Sequence, residues 1–140
     1  MTETMQRIRR YCAYQERCHQ EVRQKLWDWG YNGLEIGNIA VQLMEGGFLN
    51  EERYANALAG GKFRVKGWGK RKIEQALRRK GVSDYLVAAS LSQIEEKDYG
   101  KKLLELLEKK KQSLKAEAPL ILKHKLARYA ISKGYEPEQV

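Results

Sequence analysis

The sequence predicts an all-α protein built as an elongated, curved tandem repeat of three-helix units. Apolar residues recur throughout with the 3.6-residue period of an α-helix, and the alternation typical of strands is almost absent. Glycines follow successive amphipathic segments at a nearly constant spacing. Leu, Ile, Val and Phe together number only 31 of the 140 residues, which favours short stacked units over one compact globule.

Three glycines mark an internal repeat. Gly30, Gly81 and Gly134 each follow an amphipathic segment and precede an apolar residue, so each is predicted to end a helix as a C-cap. Their separations of 51 and 53 residues indicate repeated structural units. The residues before the glycines correspond between copies: Val22, Lys25 and Leu26; Ile73, Ala76 and Leu77; and, more loosely, Leu126 and Ala130.

The repeat predicts three units of three helices each. In chain order the predicted helices span 5–15, 18–29, 33–46, 51–65, 70–80, 84–95, 98–115 and 119–133, with another that begins near Pro137. The predicted units are residues 1–49, 50–96 and 97–140, and the last helix of the third unit is incomplete. Residues placed to cap these helices are Asn32, Asn50, Ser83 and the Glu136–Pro137 pair. Asn50 is the best placed, because the carboxylates of Glu51 and Glu52 favour the positive end of a helix dipole.

Positive charge is concentrated in one short segment. Residues 1–61 carry 7 basic and 8 acidic groups, residues 62–80 carry 9 and 1, and residues 81–140 carry 11 and 9. The net charge of +9 therefore comes almost entirely from the middle segment. A nearly neutral chain with one strongly cationic segment indicates a polyanionic partner. The candidate residues for binding DNA or a DNA filament are Lys62, Arg64, Lys66, Lys70, Arg71, Lys72, Arg78, Arg79 and Lys80.

The basic segment is predicted to hold several of its cations on one exposed helix face. One side of helix 70–80 carries Ile73, Ala76, Leu77 and Lys80, and the other carries Arg71, Gln75, Arg78 and Arg79. The arginine side is predicted to face outward. The positive charges there repel one another, and binding of phosphates would relieve that repulsion. Trp68, between two glycines, either anchors the turn to the core or stacks on a base, and anchoring is the more common arrangement.

The alternative for any run of charge is a plain solvated face. That interpretation suits helix 98–115 better than the basic segment, because its cations are interleaved with carboxylates. The charged residues concerned are Lys101, Lys102, Lys109 and Lys111 with Glu105 and Glu108.

Catalytic and metal-binding chemistry is not expected. The sequence contains no phosphate-loop, dinucleotide-binding or zinc-protease motif, and neither histidine is spaced to serve both a nucleophile and an orienting carboxylate. Cys12, Cys18 and His19 lack a zinc-ligand spacing, so we expect buried or idle thiols, no metal and no cofactor. Too few cysteines for a disulfide framework, no long apolar run and no secretory signal predict a soluble cytoplasmic protein with no membrane partner.

Three stretches of the sequence are distinctive as a set. They are GGFLNEERYA from Gly46 to Ala55, KGWGKRKIEQALRRKGV from Lys66 to Val82, and KLARYAISKGY from Lys125 to Tyr135. This set resembles the RecX family, bacterial regulatory proteins that act on the RecA recombinase. The resemblance spans about residues 7–140. One departure is Lys70, where many members carry proline at the helix start.

The resemblance implies a function without catalysis. It implies tandem three-helix repeats that bind in the groove of the RecA filament on DNA. Bound there, such a protein restrains strand exchange, ATP turnover and filament growth. We expect a monomer, with single- or double-stranded DNA as a partner beside the RecA filament. By motif, the family's basic surface corresponds to Lys66, Lys70, Arg71, Lys72, Arg78, Arg79 and Lys80.

Two other interpretations remain open at this point. A free-standing duplex DNA-binding protein would use helix 70–80 as the recognition helix of a helix-turn-helix, with base-reading side chains near its start and a dimer matched to paired half-sites. Lys70, Arg71 and Lys72 suit phosphates better than base edges, and no long apolar dimer seam is visible. A purely protein-binding scaffold would instead keep its partner at high salt.

Overall fold

The chain folds as an all-α protein. The structure is a computed structural model, and it describes residues 2–114 and 117–139. Those residues form eight α-helices and no strand. The helices are α1 (Thr2–Tyr14), α2 (His19–Asp28), α3 (Gly33–Glu45), α4 (Glu51–Arg64), α5 (Lys70–Arg79), α6 (Asp84–Ser92), α7 (Glu96–Ser113) and α8 (Pro119–Ser132), followed by a 3-10 turn at Pro137–Gln139. The predicted all-α repeat fold is confirmed.

The predicted helix boundaries differ most at α1 and α6. α1 begins at Thr2, three residues before its predicted start, and α6 ends at Ser92, three residues before its predicted end. The early end of α6 lets Ile94 turn back into the core, where it is buried. The predicted end of helix 98–115 at Lys115, and Val140 at the end of the last predicted helix, lie outside the described residues.

The three repeat glycines end helices in the predicted way. Gly30, Gly81 and Gly134 have φ values of 94°, 78° and 101°, a left-handed conformation that glycine adopts without a steric penalty. The aligned core residues also occupy equivalent places, since Val22, Leu26, Ile73 and Leu77 are all fully buried.

Side-chain caps begin three of the helices. The side chains of Asn32, Asn50 and Ser83 accept hydrogen bonds from backbone amides three residues later, at 2.9, 2.9 and 3.3 Å. The 3-10 turn begins at Pro137, where a helix is predicted to begin, and the preceding Glu136 carboxylate accepts a hydrogen bond from the Tyr99 hydroxyl.

The hydrophobic core is divided into two clusters. The first lies between α1, α2 and α3 and the turns that join them, and its fully buried members include Ile8, Leu26 and Leu43. The second is shared by α4 to α8 and includes Ile73, Leu77, Tyr99 and Tyr135. The accessible surface is 9219 Å², whereas a compact 16.3 kDa monomer exposes about 7,500 Å². The excess is typical of an elongated body.

Side chains connect α1–α3 to the helices that follow. The backbone amide of His19 donates to a Glu51 carboxylate oxygen at 3.1 Å, at the start of α4. Arg53 pairs with Glu16 at 2.6 Å, and the Lys80 ammonium lies 3.4 Å from a carboxylate oxygen of Glu21. All of these contacts involve at least one charged side chain.

Both cysteines are free and buried, as expected. Cys12 belongs to the first cluster and Cys18 to the second. Burial raises the pKa of both thiols, to about 11 for Cys18. Among the described residues no three His, Cys, Asp or Glu side chains converge on a possible metal site, and no described helix is both long and apolar enough to cross a membrane.

Candidate nucleic-acid interface

Helix α5 presents its arginines to solvent as the sequence predicts. Ile73 and Leu77 have no exposed surface and lie in the larger cluster. Arg71, Arg78 and Arg79 are exposed on the other side of the helix. We call these three residues the arginine face.

Two of the nine predicted binding residues are neutralised by carboxylates of the protein itself. Arg78 pairs with Glu74 at 3.0 Å and also with Asp84. Hydrogen bonds to Glu74 and then Asp84 raise the pKa of Arg78 above its ordinary value. Lys80 faces Glu21, as described above. The sequence gives no indication of these pairs beyond the i,i+4 spacing of Glu74 and Arg78. Because Arg78 is paired, fewer arginines of the arginine face are available to a partner than expected.

The other seven candidates have no ion pair with any described carboxylate. They differ in their surroundings. Arg71 and Arg79 lie on the outer side of α5. The Lys70 ammonium lies 4.8 Å from the centroid of the Tyr99 ring, and Arg64 is exposed at the end of α4. The remaining three are Lys62, Lys66 and Lys72.

Trp68 is surrounded by cations and also contacts the core. Its ring is half-buried and packs against the larger cluster, which is the anchoring role predicted for it. The ammonium groups of Lys62 and Lys72 lie 4.9 and 4.6 Å from the ring centroid. Both distances are within the range of a cation–π interaction, so the indole holds two of the predicted cations near one another.

The turn between α4 and α5 is in backbone contact with the end of α8. The Gly69 amide donates to the Lys133 carbonyl at 2.7 Å, and the Arg71 amide donates to the Gly134 carbonyl at 2.9 Å. The Tyr135 hydroxyl donates to the Gly67 carbonyl at 3.1 Å. We call this contact the glycine joint.

The glycine joint requires residues without side chains. A Cβ on Gly69 would lie 2.3 Å from the backbone carbon of Gly134, and a Cβ on Gly134 would lie 2.4 Å from the Cβ of Lys72. Gly69 has an ordinary φ of −79°, so it is glycine because space is lacking and not because of its conformation. The glycine–tryptophan–glycine motif therefore builds a long-range contact as well as a local turn.

Beside the joint lies a cleft that the sequence prediction missed. It has a volume of about 510 Å³ and is lined by residues of the α4–α5 turn, α7 and α8. We call it the lysine cleft, and its cations are Lys66, Lys102, Lys109, Lys110 and Lys133. Glu105 also lines it but has no ion pair with any described residue.

Part of helix 98–115, which the sequence predicts to be a solvated face, lines the lysine cleft. Lys102 and Lys109 are seven residues apart, which places them on the same side of α7 as the cleft. Lys101 and Lys111 do not line it. The seven-residue spacing of Lys102 and Lys109 was the available signal, but the carboxylates of Glu105 and Glu108 interleaved with them obscured it.

The chain is similar in sequence to RecX regulatory proteins. The sequence profile of the second three-helix domain of RecX matches residues 50–91, and that of the third matches residues 98–140. Regulatory protein RecX of Clostridium perfringens strain 13 is 36% identical over 118 residues, which are 83% of this chain and 55% of that protein. Regulatory protein RecX of Bacillus cereus strain B4264 is 28% identical over 130 residues, or 93% of this chain and 48% of that protein. The chain thus spans about half the length of these relatives.

Solved structures have the same fold. The crystal structure of RecX from Lactobacillus salivarius superposes with a TM-score of 0.90 at 21% identity, covering 99% of this chain and 90% of that one. A second crystal structure of a regulatory protein RecX gives a TM-score of 0.88 at 18% identity, covering 99% of this chain and 68% of that one.

Proposed function

Because the chain belongs to the RecX family, we propose that it is a non-enzymatic regulator that binds RecA–DNA filaments and restrains their activity. On this proposal the monomer lies in the filament groove, in the cytoplasm, and slows ATP turnover and strand exchange. We further propose that its units are residues 1–49, 50–96 and 97–140.

The observation that carries the proposal is the cationic segment held by α4, α5 and the turn between them. Residues 62–80 carry nine basic groups and one acidic group. Seven of the nine have no ion pair within the described residues, so they are available to an external anion. An unneutralised surface of this kind is the electrostatic signature of a nucleic-acid-binding protein.

The rival proposal, a free-standing helix-turn-helix protein, fits the geometry less well. A recognition helix reads bases with residues near its N-terminus. The first turn of α5 carries Lys70, Arg71 and Lys72, which suit phosphates better than base edges. Its backbone is tied to the protein, since the Arg71 amide donates to the Gly134 carbonyl and the Lys70 amide donates to the Tyr99 hydroxyl at 2.9 Å.

RecA's ATP turnover on single-stranded DNA tests the proposal. We expect sub-stoichiometric protein to slow turnover and to stay bound to sedimented filaments. The variant Arg71→Gln with Arg79→Gln removes the two unpaired arginines of the arginine face. It should raise the concentration for half-inhibition at least about tenfold at 0.1 M salt, because two phosphate contacts are lost.

A matched control separates this effect from a change in total charge. The variant Arg10→Gln with Arg23→Gln loses the same charge from exposed positions on α1 and α2 and should inhibit like the native chain. No slowing and no filament binding by the native chain would reject the proposed function. Protection of a defined palindrome on naked duplex DNA would favour the rival.

A further inference from the structure

We propose that the lysine cleft binds the phosphates of a nucleic-acid strand, as a contact separate from the arginine face. The inference rests on the proposed function only in expecting nucleic acid as a ligand. It can therefore be tested with DNA alone, without RecA.

Positive charges are crowded around Lys133 in the lysine cleft. The Lys133 ammonium donates to the Lys66 carbonyl at 3.0 Å, which holds it inside the cleft. Burial, and then the charges of Lys72 and Lys66, lower the pKa of Lys133 from its ordinary value. Lys133 and Lys66 therefore repel each other, so an anion beside them would be stabilised by both.

The backbone that lines the lysine cleft is held by contacts within the protein. The Lys133 carbonyl is fixed by its bond from Gly69, so the glycine joint also positions the wall of the cleft. On the opposite wall, Leu106 approaches Gly67 so closely that a Cβ there would lie 3.2 Å from its methyl groups. The backbone of the cleft is thus already fixed, and a ligand would have to order only the lysine side chains that line it.

The arrangement of the cations favours a strand over an acidic protein surface. Lys102 and Lys109 lie about 10 Å apart along α7, given a rise of about 1.5 Å per residue. The charges continue through Lys66 to Lys72 beside Trp68. Such a row matches a partner whose negative charge repeats along its length, as phosphates do. Tyr129, whose ring lies 5.0 Å from the Lys110 ammonium, adds an aromatic surface to the cleft.

Binding of labelled oligothymidylate and of a duplex of equal length, measured across salt concentrations, tests the inference. The cleft variant is Lys102→Gln with Lys109→Gln. Its affinity for the single strand should fall about 25-fold at 0.1 M salt, and the slope of log affinity against log salt should become shallower by about 1.4. Comparison of the two probes shows which form of DNA supplies the phosphates.

The control lies on the same helix. Lys101→Gln with Lys111→Gln removes equal charge from positions outside the cleft and should bind both probes nearly as the native chain does. Lys102→Arg with Lys109→Arg keeps the charge and should retain the affinity within about threefold. Unchanged thermal unfolding of each variant ensures that lost binding is not lost folding.

Two results would overturn the inference. One is equal DNA binding by the cleft variant and the control variant, whether both lose affinity or neither does. The other is native DNA binding by the cleft variant together with a loss of RecA binding, which would assign the cleft to an acidic protein surface. If the cleft variant alone loses DNA while the native chain has no effect on RecA, the cleft is supported and the proposed function is rejected.

Discussion

The backbone amide of Gly69 donates to the carbonyl of Lys133 at 2.7 Å, although the two residues are 64 positions apart in the chain. The contact joins the turn after α4 to the end of α8. It is possible only because Gly69 and Gly134 have no side chains, since a Cβ on either would meet backbone or Cβ atoms at less than 2.5 Å.

Replacing Gly69 by alanine should therefore destabilise the fold. The new methyl group would lie 2.3 Å from the Gly134 carbonyl carbon, so the two segments must separate and the bonds from Gly69 and Arg71 would weaken. We expect a loss of about 2–4 kcal/mol in the free energy of unfolding, measured by urea denaturation.

Gly100→Ala is the matched control. Gly100 lies inside α7, and a Cβ there would meet nothing within 4 Å. Alanine in a helix interior is favoured over glycine by about 0.5–1 kcal/mol, so this variant should be slightly more stable than the native chain. A Gly69→Ala protein as stable as Gly100→Ala would contradict our description of the joint.

Stability should fall in alkaline solution, beginning near pH 9. Burial raises the pKa of Cys18 from 9.0 to about 11 and that of Tyr135 from 10.0 to about 12. Between those values the unfolded chain loses protons that the folded chain keeps, so the folded state is progressively disfavoured as pH rises. The contribution of Cys18 to the free energy of unfolding is fully present below pH 9. It is lost as the pH rises toward 11, which lowers that free energy by about 2–3 kcal/mol.

The variant Cys18→Ala should lose less stability than the native chain between pH 8 and pH 11. We compare the change in the free energy of unfolding between the two pH values, because the substitution also alters packing, and therefore stability, at every pH. Cys12→Ala serves as a control, since the pKa of Cys12 is raised by burial but to a smaller extent. Identical pH dependence in the native and Cys18→Ala proteins would show that this thiol does not contribute.

Freeing Arg78 should strengthen binding to DNA. Arg78 is held by Glu74 and Asp84, so the variant Glu74→Gln with Asp84→Asn adds one available cation to the arginine face. One further phosphate contact corresponds to about a five- to eightfold gain in affinity at 0.1 M salt, measured by titration of labelled DNA. Glu3→Gln with Glu45→Gln changes the total charge equally from exposed positions on α1 and α3; an equal gain there would mean that only total charge matters.

The helices could be predicted from the sequence because their signals are local. The 3.6-residue apolar period, the cap at Asn50 and the glycines after α2, α5 and α8 each act within one or two turns of helix. The division of the core into two clusters was not predicted, because it depends on which helices contact one another. Cys18 illustrates the difficulty, since it precedes α2 in the chain and packs with α4 and its neighbours.

The candidate site was predictable only in part, because some of its contacts join residues that are far apart in the sequence. The arginines of α5 follow from helical periodicity, and their exposure agrees with it. The pairing of Lys80 with Glu21 crosses 59 residues, and the meeting of Lys66 with Lys133 crosses 67. Neither contact has a local pattern, so the neutralised cation and the lysine cleft both required the tertiary structure.

The two connections along the chain differ in mechanical character. The earlier one includes charged pairs on flexible side chains, such as Arg53 with Glu16, together with the buried contact of Cys18 in the larger cluster. The later one is made by backbone atoms at the glycine joint, where no such slack exists. Because screening by salt acts on exposed ion pairs and hardly on backbone hydrogen bonds, added salt should weaken the earlier connection more than the later one.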